Sequence, residues 1–230
     1  MNVQAVILAA GMGTRLGKPW PKPLTPLVDG RTIMRQQMDN LEKAFGADLR
    51  VMTVIGFKLE LIIEAFPNVA YVYNENYDQT NTNRSLLKAL RIASDGGVLW
   101  MNGDVVFDPA VLERAKPLME AGTSFICVNT SATAEEEVKY TVDADGNVAL
   151  LSKTVENALG ESVGINYISA ADRADLIAGL EACADTDYFE RGIEIAIEKV
   201  GMKVIPLDIS DLFAVEVDFE DDLARANTHL

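Results

Sequence analysis

An unbroken apolar run, Ala5-Val6-Ile7-Leu8-Ala9-Ala10, ends at Gly11-Met12-Gly13 and leads through Thr14-Arg15-Leu16-Gly17 to Pro21-Lys22-Pro23-Leu24. A run of this kind is what a strand buried on both faces of an α/β sheet looks like. Such sheets bind ligands just outside the carboxyl ends of their strands, so the glycine loop falls where a ligand would sit. Glycines let backbone N–H groups approach an anion closely, and Arg15, Lys18 and Lys22 add cationic donors for oxygens that gain charge during phosphoryl or nucleotidyl transfer.

Two common glycine motifs fail on this loop. The dinucleotide fingerprint G-x-G-x-x-G needs glycine at the position of Leu16 and a helix that opens at once, which Pro19, Pro21 and Pro23 forbid. A Walker A loop needs G-x-x-x-x-G-K-[ST], but Gly13 and Gly17 are one residue too close and Pro19 follows Lys18. What remains is a long basic loop, stiffened by proline, between a strand and a later helix. Arg15, Lys18, Lys22, Arg31 and Arg35 face one acid, Asp29, before Gln36. That segment carries +4 in a chain of net charge −15, and the rest carries −19. So acidic a remainder repels nucleic-acid polymers, and local positive charge within it suits a small anionic ligand.

Beyond the loop, strand-like and helix-like segments alternate, the pattern of a doubly wound α/β sheet, mixed and mostly parallel. Strands are expected over 3–9, 50–55, 69–73, 97–102 and 123–128, with helices over 31–45, 58–66 and 83–94. A further helix is expected to take Asp108 as its cap and Pro109 as its first residue. From 139 to 153 the alternation around Asp145-Gly146-Asn147 reads as a hairpin, a small β-rich subregion on the acceptor side. Helices at 171–183 and 188–200 and strands at 203–207 and 213–217 follow. With no repeats or linkers, residues 1–230 read as one domain. The opening residues lack a signal-peptide pattern and no apolar run reaches the length of a membrane span, so a cytoplasmic protein without a membrane partner is expected. Cys127 and Cys183 have no metal-ligand spacing and read as buried thiols, and His229, the sole histidine, lies next to the C-terminus.

Two acidic sites complement the basic loop. The apolar strand Val98-Leu99-Trp100-Met101-Asn102 runs into Gly103-Asp104, which places a carboxylate at the sheet edge where a metal bridging triphosphate oxygens would be held. A plain hairpin turn returning through Val105-Val106-Phe107 is the alternative, disfavoured because Asp108-Pro109 follows after only three residues. In Glu216-Val217-Asp218-Phe219, Asp218 is either a helix cap or a second carboxylate beside the metal, with Glu216 in reserve.

The loop resembles the signature A-A-G-x-G-x-R-[LM] followed by P-K-x-[LM], here Ala9 to Leu16 and Pro21 to Leu24, of the nucleotidyltransferases that join a nucleoside triphosphate to a sugar phosphate or alcohol phosphate. That resemblance implies a Rossmann-like nucleotidyltransferase fold with Arg15 and Lys22 in the catalytic set. It also implies nucleotide contacts from Leu8, Ala10, Gly11, Gly13, Thr14 and Asn102, and Mg²⁺ held by Asp104 and by Asp218 of an E-x-D-x-x-x-D-L element. The polar stretch Tyr77 to Leu86 resembles, more loosely, the Y-x-x-x-N-N-x-x-S element of cytidylyltransferases acting on phosphocholine and related amino-alcohol phosphates or phosphonates. Asn81, Asn83 and Ser85 fall near its positions, although Thr82 separates the asparagines and a helix cap would explain the same residues.

On the acceptor side, Glu161, Tyr188 and Glu190 are candidates for an ammonium group, by charge and by cation–π attraction, with Tyr188 and Phe189 equally open to a core role. The expectation is therefore CMP transfer from CTP to phosphocholine or a related acceptor with release of pyrophosphate. A sugar- or inositol-phosphate nucleotidyltransferase and a nucleotide-binding regulator without turnover are the alternatives. Oligomeric state is not legible.

Overall fold

A computed structural model describes residues 3–131, 133 and 137–230. The chain runs β1 (Val3–Ala9), α1 (Ile33–Phe45), β2 (Arg50–Ile55), α2 (Leu59–Ala65), β3 (Ala70–Tyr73), α3 (Thr82–Ile92), β4 (Gly97–Asn102), β5 (Val105–Phe107) and α4 (Ala110–Glu120). It continues through β6 (Phe125–Asn129), β7 (Lys139–Val142), β8 (Val148–Ser152), β9 (Gly160–Ile168), α5 (Arg173–Glu181), α6 (Phe189–Val200), β10 (Ile205–Asp208), β11 (Ala214–Glu216) and α7 (Glu220–Asn227). The main sheet has the order β10-β6-β9-β4-β1-β2-β3, with the β7–β8 hairpin joined to β9. Pairing is parallel except where β9 runs against β4, β6 and β7 and within the hairpin. This is the expected mixed, mostly parallel α/β sheet.

The two faces of the sheet explain the apolar run at the start. Along β1, Ala5, Ile7 and Ala9 pack toward Met34, Leu41 and Ile62 of α1 and α2, with Val111 and Leu112 of α4 in the same cluster. Val6 and Leu8 point the other way, into a cluster with Leu86, Leu90, Leu176, Phe189 and Ile193 of α3, α5 and α6. Successive strand residues face opposite sides, so only a strand covered on both faces uses an all-apolar run. A third, smaller cluster of Leu16, Leu27, Ile33, Val106, Val215 and Val217 fastens the glycine loop to β5 and β11.

Three local expectations change. Val105–Phe107 is a strand after all, but it pairs with β11 in a separate antiparallel ribbon and does not fold back on β4. Asn102-Gly103 is therefore no hairpin turn, and a three-residue strand suffices because its partner comes from the far end of the chain. The helix after β5 begins one residue late, at Ala110. Pro109 takes the cap position, while the Asp108 carboxylate still accepts from Ala110 N at 2.8 Å. The last helix starts at Glu220, and Asp222 reaches back to accept from Phe219 N at 2.8 Å, so Asp218 is not the cap.

Register sets the functional edge. Leu8 pairs with Asn102, so β1 and β4 end together and their following loops emerge side by side. β9 enters this edge in the opposite sense, and its register against β6 shifts between Ile126 and Val128. Gly164, on β9 at that irregularity, has φ +67°, and a Cβ there would lie 2.4 Å from Glu216 Oε1 and 2.8 Å from Asn102 Nδ2. A side chain would be strained by the backbone and would push both polar groups away. Gly164→Ala is expected to cost about 1–3 kcal/mol in urea denaturation. Wild-type stability in that variant would contradict the tight bulge.

Candidate active site

The loop after β1, the turn after β4 and the segment after β11 meet over one cavity of about 460 Å³. Lys22 stands at the junction. It opens a single 3-10 turn, Lys22–Leu24, entered from Pro21, and its side chain is nearly buried. Its ammonium donates to Asp104 Oδ2 at 2.7 Å and to Asp218 Oδ1 at 2.5 Å. Arg15 adds a bond to Asp218 Oδ2 at 2.8 Å, and Lys18 pairs with Glu220 at 2.5 Å. Burial pulls the Lys22 pKa down, but Asp104 and Asp218 outweigh it and hold the ammonium above its usual range. Burial likewise works against the Asp218 carboxylate, and Lys22 and Arg15 overcome it, so Asp218 stays ionised below its usual range.

Asp104 needs a glycine before it. A Cβ on Gly103 would lie 2.7 Å from Leu8 O and 2.9 Å from Pro23, so only glycine lets the turn press against β1 and the proline loop. The second oxygen of Asp104, Oδ1, is buried with no hydrogen-bond partner. Among the described residues no group of three or more His, Cys, Asp or Glu side chains has metal-binding geometry. Mg²⁺ does not need one, since it is commonly held by one or two carboxylates with phosphate oxygens and water.

Glu137, Glu190 and Glu216 line the same cavity with Ser162, Lys153 and Tyr188. Glu190 is 6% exposed, and its Oε2 has no partner, nor does Ser162 Oγ. Glu216 accepts one bond, from Asn102 Nδ2 at 3.1 Å. Burial pushes the Glu190 carboxyl up to about 7, with Lys153 opposing and Glu137 adding to the shift. Glu137 also rises to about 7, through burial and the charges of Glu161 and Asp218. Glu216 is raised by burial and by Asp104, Glu137 and Glu190. Buried carboxyls raised in this way gain from a cation brought beside them.

Most residues singled out from the sequence meet here. Leu8, Gly11, Gly13, Thr14, Arg15, Lys22, Asn81, Asn102, Asp104, Tyr188, Glu190, Glu216 and Asp218 all line the cavity. Four do not. Ala10 turns its carbonyl to Phe57 N, at 3.0 Å. Asn83 is fully buried and donates to Ala184 O at 2.6 Å, and Ser85 accepts from Asn74 at 3.1 Å. Both lie inside α3, which turns Asn83 toward the connection between α5 and α6 and Ser85 toward the loop after β3. Asn81 lines the cavity as the cap of that helix, accepting from Thr82 N at 2.8 Å. Glu161 sits one residue from Ser162 on β9, and strand alternation gives the cavity-facing position to the serine. Tyr188 has Lys153 over its ring at 4.7 Å, so that face is already covered.

Glu137 and Lys153 line the cavity without having been singled out from the sequence, and so do Tyr77, which opens the loosely matched polar stretch, and Ser162 of the strand read as carrying acceptor contacts. The run of three glutamates ending at Glu137, within an acidic chain, gave no spacing to set it apart. Cys127 and Cys183 are buried free thiols, and His229 stacks on Phe213 away from the cavity. Among the described residues no helix is long and apolar enough to cross a membrane.

A glycine loop with Lys22 between two carboxylates thus stands at the edge of a mixed sheet. Residues 5–189 match the MobA-like NTP transferase domain, and the chain belongs to that family. It is 32% identical, over 98% of its length, to the CMP-5'-(3-aminopropyl)phosphonate synthase of Streptomyces rubellomurinus. The chain spans 38% of that protein's length, and about a quarter of the bifunctional GlmU proteins that it also matches. It is 26% identical, over 74% of its length and 69% of the relative's, to the 2-aminoethylphosphonate cytidylyltransferase of Lancefieldella rimae. In fold it is similar to the CTP:phosphocholine cytidylyltransferase of Streptococcus pneumoniae, with TM-score 0.75, 16% identity, and coverage of 100% of this chain and 99% of that one. The inositol-1-phosphate CTP transferase of T. maritima gives TM-score 0.77 at 17% identity, over 95% and 90% of the two chains.

Between the ordinary glutamate value of 4.5 and the raised value near 7, the unfolded chain loses protons that folded Glu137 and Glu190 keep. Stability of the ligand-free protein is therefore expected to fall as pH rises through that window and to level off above it. Glu190→Gln should flatten the slope and raise stability at pH 8. Urea midpoints from pH 5 to 8 that rise with pH, or are unmoved by the substitution, would contradict this account of the glutamates.

Proposed function

We propose that the chain transfers CMP from CTP to a small phosphonate or phosphate that carries a positively charged amine, with pyrophosphate leaving. The observation that carries this reading is the set of charged groups that line one cavity. Arg15 and Lys22 line it with Asp104 and Asp218, and so do Glu137, Glu190 and Glu216, three carboxyls raised by burial. A triphosphate suits the cations and the two aspartates. An acceptor amine suits the glutamates, where it would partner buried carboxylates and fill the empty valences of Glu190 Oε2 and Ser162 Oγ. A neutral sugar would leave the three acids without a counter-charge.

In this reading the acceptor's phosphonate or phosphate oxygen attacks the α-phosphorus of the nucleotide, the bond from that phosphorus to the bridging oxygen breaks, and pyrophosphate departs with the electron pair. Catalysis is positioning and charge stabilisation. Arg15 and Lys22 offset charge on the triphosphate, and the backbone of Gly11, Gly13 and Thr14 shapes its bed. Asp104 and Asp218 would hold Mg²⁺, for which the orphaned Asp104 Oδ1 and the convergence of both carboxylates on one cation fit. When bound, that ion supplies positive charge to the phosphate oxygens. The aminoalkylphosphonate relatives support a primary amine as the acceptor's cationic group, and the similarity to the phosphocholine enzyme is one of fold.

Pyrophosphate release should be measured with each of the four triphosphates against 3-aminopropylphosphonate, 2-aminoethylphosphonate, phosphocholine, glucose-1-phosphate and inositol-1-phosphate. CTP with an aminoalkylphosphonate is expected to give the highest kcat/KM, and a clear preference for either acceptor without an amine would overturn the amine assignment. Lys22→Ala should lower turnover by about 10²–10³, the scale for losing one preorganised charge-stabilising donor. Near wild-type turnover in the folded variant would remove Lys22 from the reaction.

A further inference from the structure

The turn that carries Asp104 is held on one side by side chains of a helix. β4 ends at Asn102, β5 begins at Val105, and among the described strands β5 pairs only with β11. On its other side lies α1, where three buried amides do what a strand would do. Gln37 Nε2 donates to Asn102 O and to Val105 O, both at 2.8 Å. Gln36 Nε2 donates to Phe107 O at 2.6 Å, and Asn40 Nδ2 donates to the same carbonyl at 2.8 Å. Gln37 thus spans Gly103-Asp104 from the carbonyl before the turn to the carbonyl after it. The peptide groups between are fixed by Gly103 N donating to Leu8 O at 2.9 Å and by Asp104 O accepting from Val217 N at 3.0 Å.

Gln37 is fully buried, and its own Oε1 has no partner. An orphaned amide oxygen in the interior costs stability, and methionine or leucine would fill the same space without it. What the amide provides against that cost is the pair of bonds to the Asp104 turn. We propose that Gln37 is a positioning residue for the transfer. Its amide sets the peptide frame from which the Asp104 carboxylate reaches the metal of the nucleotide, so that α1 belongs to the metal site although none of its residues lines the cavity. This rests on the reading of Asp104 as a metal ligand. Groups that orient a metal's ligands typically change its affinity by about 10–100-fold when they are removed.

The test compares Gln37→Met, which keeps the volume and loses the donors, with Asn40→Leu, which removes an amide bond from the same helix to the same strand but away from Asp104. Mn²⁺ binding in the presence of CTP is read by electron paramagnetic resonance, alongside the Mg²⁺ dependence of pyrophosphate release and the thermal midpoint. Gln37→Met is expected to weaken Mn²⁺ binding by about 10–100-fold and to raise half-saturation by Mg²⁺ in step. Asn40→Leu is expected to lower the thermal midpoint and leave both metal readouts unchanged. Gln37→Asn, which keeps the amide on a shorter stem, should fall between and carries the test if Gln37→Met does not fold. Wild-type Mn²⁺ affinity in the Gln37 variants, or an equal loss in Asn40→Leu, would overturn the inference and leave the metal assignment standing. Wild-type protein that binds no Mn²⁺ with CTP would overturn the assignment and the inference with it.

Discussion

The ammonium of Lys22, held between Asp104 and Asp218, is the contact on which the rest of the site depends. It ties together three segments from the beginning, middle and end of the chain, and each arrives by a different device. The first loop is stiffened by Pro19, Pro21 and Pro23 and anchored by Leu16 in a small apolar cluster. The second is the glycine turn after β4, pressed against Leu8 O. The third leaves β11, a strand whose ladder is made with the three residues that follow that turn. Two carboxylates brought this close would repel each other if nothing stood between them, so the lysine makes the pair affordable in the folded chain. The same geometry suits a metal and a triphosphate, which bring positive and negative charge to the same place together.

The acids of the cavity manage charge in two ways. Asp218 stays ionised because Lys22 and Arg15 face it. Around Glu190 cations are few, Lys153 being turned over Tyr188, and burial pushes its carboxyl up to about 7. The irregularity of β9 at Gly164 makes room for Glu216 and Asn102 beside these groups.

Much of this was legible in the sequence, for physical reasons that can be named. An all-apolar run before a glycine loop announces a strand covered on both faces, and β1 is one. Strand ends in a parallel sheet gather loops at one edge, which places Lys22 and Asp104 together, while Asp218 arrives through the separate ribbon of β5 and β11. The nearest errors came from residues that one short rule could not decide. Asn83 and Ser85 lie in a polar stretch that resembles a binding element, yet the helix starts just before them and its rotation buries both. Val105–Phe107 looked too short to be a strand because its partner, β11, lies more than a hundred residues away. Glu137 and Gln37 carried no local signal, because their roles arise from tertiary contacts between elements distant in the chain.

The central claim is that Lys22, Asp104 and Asp218 form a preassembled seat for a metal-bound triphosphate. A crystal of the protein with CTP and Mn²⁺, with anomalous differences collected at the manganese edge, tests it most directly. The account predicts one strong anomalous peak bound by the carboxylates of Asp104 and Asp218, the triphosphate along the Gly11 to Arg15 loop, and the Lys22 ammonium turned onto phosphate oxygens. A nucleotide bound elsewhere, or a manganese peak away from both aspartates with Lys22 still bridging them, would contradict it.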